Sequence, residues 1–197
     1  MEILKWCGAE KGAEYTGVTE EDNKKIRWYD NLLGDPLPGL SDWDPPTLTQ
    51  YRGSNGKRAL RDLCDAPSSA SINLISQRAA DSLRDIWDYH ATLYPVSLAD
   101  APEQDFYMVV ANTILNCLDR ERSEGPLQKY GATPDAFASV YKWVFDEECI
   151  GKNVLFRIPD SKTTTYVTET FKQRVREAGL KGFCLKKEFW DTNEWVS

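Results

Sequence analysis

One histidine, two methionines and five scattered cysteines are all that 197 residues offer to metal or relay chemistry. A zinc site needs Cys or His in clusters, and none is present: no CxxC pair occurs, and His90 has no second ligand at metal spacing. A Ser-His-Asp or Cys-His relay is restricted to His90, and no G-x-S-x-G nucleophile elbow exists to join it. His90 therefore reads as a structural or surface-edge residue, and no metal or cofactor is expected. The cysteines (Cys7, Cys64, Cys117, Cys149, Cys184) are odd in number, and read as reduced thiols packed in or near the core.

The bases are also few. Lys and Arg total 24 against 31 Asp and Glu, a net charge of -7. Phosphate binding is driven by cationic side chains displacing counterions, so bare nucleic acid and anionic membranes are poor partners for this chain. A basic protein partner fits the sign. No run approaches the roughly 18 to 20 apolar residues of a membrane helix, and residues 1–8 show neither a cationic nor an apolar signal region. A cytoplasmic protein is expected. Gly53, Gly56 and Lys57 look like a phosphate loop, but only two residues separate the glycines and Arg58 follows the lysine. The cluster Arg52, Lys57, Arg58, Arg61 reads as a solvated turn, with contact to phosphate or an acidic surface as the alternative.

What is present is a globular composition, with 41% hydrophobic and 28% charged residues. The length suits one domain over residues 1–197, with an irregular N-terminal part at 1–42. A first strand is expected at 2–7. Residues 24–33 fit a helical turn or a strand equally, and 41–46 read as extended because of Pro45 and Pro46. The strongest helix is predicted over 76–90, where Ile75, Ala79, Leu83, Ile86, Trp87 and His90 form one face and Ser76 caps the first turn. Further on, 105–110, 113–118, 139–145, 153–158 and 164–167 are β-branched and aromatic runs, expected as strands of one antiparallel sheet. The last two are set to form a hairpin through Pro159 to Lys162. A helix over 168–178 ended by Gly179 and a strand at 181–185 follow. The fold class is thus α+β, mainly an antiparallel sheet in the C-terminal half with two or three packed helices.

Acidic side chains gather at Asp119, Glu121 and Glu124 and at Glu147 and Glu148. Adjacency in sequence does not make two carboxyls converge on one pocket, so these read as solvated charges or as docking charges for a basic protein. Seven tryptophans are many for this length; Trp87 and Trp143, in periodic elements, are expected in the core, whereas Trp190, in a polar tail, is a candidate contact residue.

The order of several pieces carries a resemblance. Trp43 with Asp44-Pro45-Pro46, Leu74-Ile75-Ser76-Gln77-Arg78-Ala79 opening a helix, Tyr94-Pro95-Val96 and Cys117-Leu118-Asp119 come first. Ile150-Gly151, Leu155-Phe156-Arg157, Tyr166-Val167-Thr168, Ala178-Gly179-Leu180-Lys181-Gly182-Phe183 and Phe189-Trp190-Asp191 follow. Over roughly residues 43–191 the chain resembles a family of bacterial immunity proteins first described from a myxobacterial member and predicted to neutralise secreted toxins of polymorphic toxin systems. The resemblance implies a non-enzymatic binder that occludes a cognate toxin, a basic toxin suiting the charge. It also implies that Arg78, Pro95, Gly151, Phe156 and Arg157 support the fold while contacts lie elsewhere. Candidate contacts are Asp119, Glu121, Glu124, Glu147, Glu148 and Trp190. An enzyme with a cleft around His90, or a regulatory binding module, are the competing readings, and the sequence does not fix an oligomeric state.

Overall fold

The computed structural model describes residues 1–7, 14–30, 39–52, 62–69, 72–126, 137, 140–187 and 194–196. The first strand, β1 (Ile3–Cys7), forms where expected, and it lies at the centre of a sheet built mostly from the far end of the chain. Calling the other described strands β2 (Glu14–Gly17), β3 (Thr47–Gln50), β4 (Ser68–Ser69), β5 (Ile72–Ser76), β6 (Ala91–Leu98), β7 (Phe106–Ala111), β8 (Leu155–Ile158), β9 (Ser161–Thr168), β10 (Phe183–Lys186) and β11 (Glu194–Val196), this sheet has the order β11-β10-β1-β9-β8. Every pairing in it is antiparallel. The other strands close into a barrel, β2-β3-β6-β7-β5-β4, with parallel joins at β2/β4 and β3/β6.

The α+β class holds, while the expected single sheet is two. Strands β2, β3 and β4 are only two to four residues long, too short to show a period, and apart from the local β4–β5 pairing their partners lie far away in sequence. Their closure is a tertiary effect. In β7 the alternation is clear: Phe106, Met108 and Val110 fill the barrel with Leu48, Leu74, Tyr94 and Val96. Tyr107, Val109 and Ala111 face outward to a second core.

That second core lies between the barrel and the sheet. Leu4, Trp6, Val167, Phe183 and Leu185 from the sheet meet Ile75, Val109 and Ala111 from the barrel. Three helices fill the layer: α2 (Gln77–Ser82), α3 (Arg84–His90) and α5 (Glu169–Glu177). Trp6 contacts Trp87, Phe171 and Phe183 with ring centroids 5.1 to 6.3 Å apart. The predicted 76–90 helix is broken at Leu83 (φ -119, ψ 27). Leu83 is fully buried there, and the bend turns both Ala79 and Trp87 into the core, with the Trp87 indole donating to the Ala79 carbonyl at 3.1 Å. Ser76 caps α2 as predicted, accepting from the Ala79 N–H at 3.2 Å.

The undecided stretch at 24–33 falls in α1 (Glu20–Asp30) as far as residue 30; its last three residues lie outside those described. Thr19 and Asp22 cap this helix reciprocally, hydroxyl to N–H and carboxylate to N–H at 3.0 Å each. Residues 40–42 form a 3-10 turn before the extended 43–46. At the other end of the chain α5 closes as expected: Gly179 has φ +60, its N–H reaches the Arg176 carbonyl and that of Leu180 the Val175 carbonyl.

Of the runs 113–118 and 139–145, expected as strands, residues 113–118 and 140–145 are described, and they make only single bridges: Ile114 with Arg157, Leu118 with Phe145, Glu124 with Lys142. Their apolar side chains are used for covering a sheet rather than for extending one. Cys117, Leu118, Val140, Trp143, Phe145 and Ile150, the last in α4 (Glu147–Ile150), pack on Phe156, Ile158 and Tyr166 across the outer face of the sheet. The open edge of β8 is occupied as well, with Leu115 N–H donating to the Arg157 carbonyl and Arg157 N–H to that of Thr113. Trp87 and Trp143 are both buried, as read.

Candidate functional site

A concavity opens where the barrel, α2 and the α5–β10 connection meet. Asp65 organises it. Its Oδ1 accepts from the Ser76 hydroxyl at 3.0 Å, and its Oδ2 accepts from Arg78 Nη1 and from the Lys181 N–H, both at 2.9 Å. Arg78 in turn donates through Nη2 to the carbonyls of Ala178 and Gly179, at 3.2 and 3.0 Å. One buried carboxylate and one arginine thus tie the barrel side to the sheet side. The cleft beside them, about 590 Å³, is lined by Cys64, Gln77, Glu103, Asp105, Phe106 and Lys181 among others.

Gln77 is shared with a second hollow of about 210 Å³, whose walls include Asp81, Arg84, Asp88, Leu93 and Tyr107. The Gln77 amide is fixed from both ends: its carbonyl accepts from the Tyr107 hydroxyl, and its NH₂ donates to Asp81 Oδ2 at 2.9 Å. Gln77 N–H donates to the Asp105 carbonyl, which pins the 103–105 turn against the start of α2. The two hollows, together the groove, thus adjoin at Gln77.

Burial pushes the Cys64 thiol above its ordinary value, so it stays a thiol rather than a nucleophilic thiolate near neutrality. The Gln77 hydrogen bond, and then Arg84, hold Asp81 below the usual carboxylate range. His90 lies half-buried at the end of α3, its pKa lowered by burial, and is not among the groove residues. Among the described residues no group of three His, Cys, Asp or Glu is placed to hold a metal ion. No helix among them is long and apolar enough to cross a membrane.

The acids singled out from sequence are brought into one layer, the 117–150 covering of the outer sheet face. Cys117 accepts at its carbonyl from Asp146 N–H, and Asp119 N–H donates to Val144, which joins the two acidic groups through the backbone. Their side chains differ in commitment. Asp119 is spent on its own turn, accepting from the N–H groups of Glu121 and Arg122 and from Arg122 Nε at 2.6 Å. Glu124 pairs with Lys142 at 3.1 Å, and Glu147 with the Met1 amine. Glu121 and Glu148 are exposed. Trp190 lies outside the described residues, as do Lys57, Arg58 and Arg61.

The residues assigned to fold support occupy such places. Phe156 is fully buried and Arg157 buried, Gly151 has φ +56, and the Pro95 carbonyl accepts from the Trp43 indole at 2.7 Å. Of the five cysteines, all free thiols, Cys117 and Cys184 are buried, Cys7 and Cys64 half-buried; Cys149 is exposed, departing from the core reading. Asp65 and the groove acids Asp88, Glu103 and Asp105 were not legible from sequence, because isolated acids, three in loops or turns and Asp88 on the polar side of a helix, carry no pattern.

The model of the immunity protein family Imm11 covers residues 9–189. No curated protein matches the chain.

Proposed function

The chain belongs to the Imm11 immunity protein family, and we propose that it neutralises one cognate secreted bacterial toxin by binding it stoichiometrically and occluding its active site or an essential surface. The family match over nearly the whole chain is the observation that carries this reading. The site chemistry supports it: a thiol kept protonated by burial and a histidine away from the groove suit a surface that binds. The partner is a basic protein of a polymorphic toxin system, met in the cytoplasm, and the net charge of -7 accelerates its approach. Asp119, Glu121, Glu124, Glu147 and Glu148 on the outer layer add to that long-range attraction, with Glu121 and Glu148 the least committed internally.

Co-expression with the open reading frame that neighbours its gene tests the proposal in a sensitive host. Survival together with co-purification of the two chains is the expected result. Killing that this protein does not relieve, with no complex formed, would remove the pairing.

A further inference from the structure

The groove over the start of α2 has a charge asymmetry that its own packing does not use. Its bases Arg78 and Arg84 are committed to Asp65 and Asp81 at 2.9 and 2.7 Å. Its exposed acids Asp88, Glu103 and Asp105 enter no ion pair among the described residues, although Asp88 feels the charge of Arg84, and the lining of the two hollows holds five acids against the three bases Arg78, Arg84 and Lys181. Apolar surface in the second hollow comes from Leu93 and the Tyr107 ring, both half-buried. Beside Asp88 on α3 stands Tyr89, 81% exposed, more than any other large apolar side chain described. An aromatic left in water on a short helix does nothing for the fold, whereas tyrosine is a favoured anchor at protein interfaces.

Resting on the toxin-binding reading, we infer that this groove is the docking surface, and that it receives a cationic loop of the toxin. The aliphatic stem of a lysine or arginine lies along Leu93 and Tyr107, its charged end meets Asp88, Glu103 or Asp105, and Tyr89 packs on the flank. Charge selects this occupant over the others. A second copy of the chain carries -7 and meets its own sign, and nucleic acid is repelled by the same carboxylates. The outer-layer acids then speed encounter without setting how long the complex lasts.

Two experiments on the full chain test this. The ¹⁵N-labelled protein is titrated with a synthetic peptide of alternating lysine and leucine, and amide shifts are mapped. Shifts concentrated at Gln77, Asp81, Asp88, Tyr89, Glu103 and Asp105 are expected; shifts confined to 119–124 and 146–149 would overturn the assignment. Binding of the toxin is then compared for Asp88→Lys/Glu103→Lys, Tyr89→Ala and Glu121→Lys/Glu148→Lys, each first checked for native circular dichroism. The groove changes are expected to speed dissociation about tenfold or more, and the outer-layer change to slow association at low salt while leaving dissociation alone. Wild-type dissociation from the groove variants would reject the groove. Peptide shifts in the groove combined with no toxin binding by the wild type would uphold the cationic docking surface and reject the toxin as its occupant.

Discussion

Asp65 and Arg78 meet at 2.9 Å, and both continue to the α5–β10 connection, Asp65 through the Lys181 N–H and Arg78 through the carbonyls of Ala178 and Gly179. The ion pair by itself is worth little, because the arginine side chain is 56% exposed. The larger contribution is satisfaction: removing the carboxylate leaves the Ser76 hydroxyl and the Lys181 N–H without their acceptor.

Asp65→Ala is therefore expected to cost about 2 to 4 kcal/mol in urea unfolding, and Asp65→Asn, which keeps an acceptor oxygen, clearly less. Arg78→Lys loses the second arm of the fork and costs about 1 kcal/mol. Equal losses for the alanine and asparagine variants would show that hydrogen bonding is not what Asp65 contributes.

Gly182 is held at φ +93, and a Cβ there would lie 2.4 Å from Cys64 Sγ and 2.9 Å from its Cβ. Gly182→Ala is expected to destabilise by about 2 to 3 kcal/mol through strain and overlap together. Adding Cys64→Ala removes the sulfur and recovers about 1 kcal/mol, while the backbone strain remains. Strict additivity of the two changes in thermal unfolding would contradict this packing.

Glu2 and Glu169 face each other beside Lys172, which is buried. The Glu169 carboxyl, Lys187 and Lys172 hold Glu2 down at about 2, whereas Glu2 and burial push Glu169 above its ordinary 4.5. The signs are opposite. The Glu2 contribution is present above about 4.5 and is lost as pH falls toward 2; the Glu169 contribution is present below 4.5 and is lost as pH rises through its folded value. Glu169→Gln, whose amide donates to Glu2 at any pH, should gain on the wild type between pH 4 and 7, and Glu2→Gln should lose on it as pH rises from 2 to 5. Urea midpoints against pH decide, and a gap independent of pH for both variants would contradict the pairing.

Much of this architecture was visible in local chemistry. Ser76 as a cap, Gly179 as a left-handed stop and the turn at Pro159 and Asp160 each act within a few residues, and each holds. The barrel was not visible, because β2 to β4 are too short to show a period and are paired at long range. The runs 113–118 and 139–145 misled for a related reason: aromatic and β-branched side chains mark burial, and here Cys117, Leu118, Val140, Trp143 and Phe145 are buried by lying across β8 and β9. The acids of the outer layer were seen in sequence, but their internal partners, such as Lys142 and the Met1 amine, depend on the fold.

If neutralisation is by binding alone, His90, which lines neither hollow, is dispensable for it. His90→Ala is expected to protect a toxin-expressing host as well as the wild type does. Loss of protection by this variant, with the fold intact by circular dichroism, would restore an enzymatic reading.

The most direct test of the central claim is a titration of purified toxin activity with this protein at toxin concentrations well above the dissociation constant. Binding by occlusion predicts a linear fall that reaches zero at a fixed stoichiometric equivalent and does not deepen with time. Full loss of toxin activity at a small fraction of an equivalent, growing with incubation, would show turnover and contradict the account.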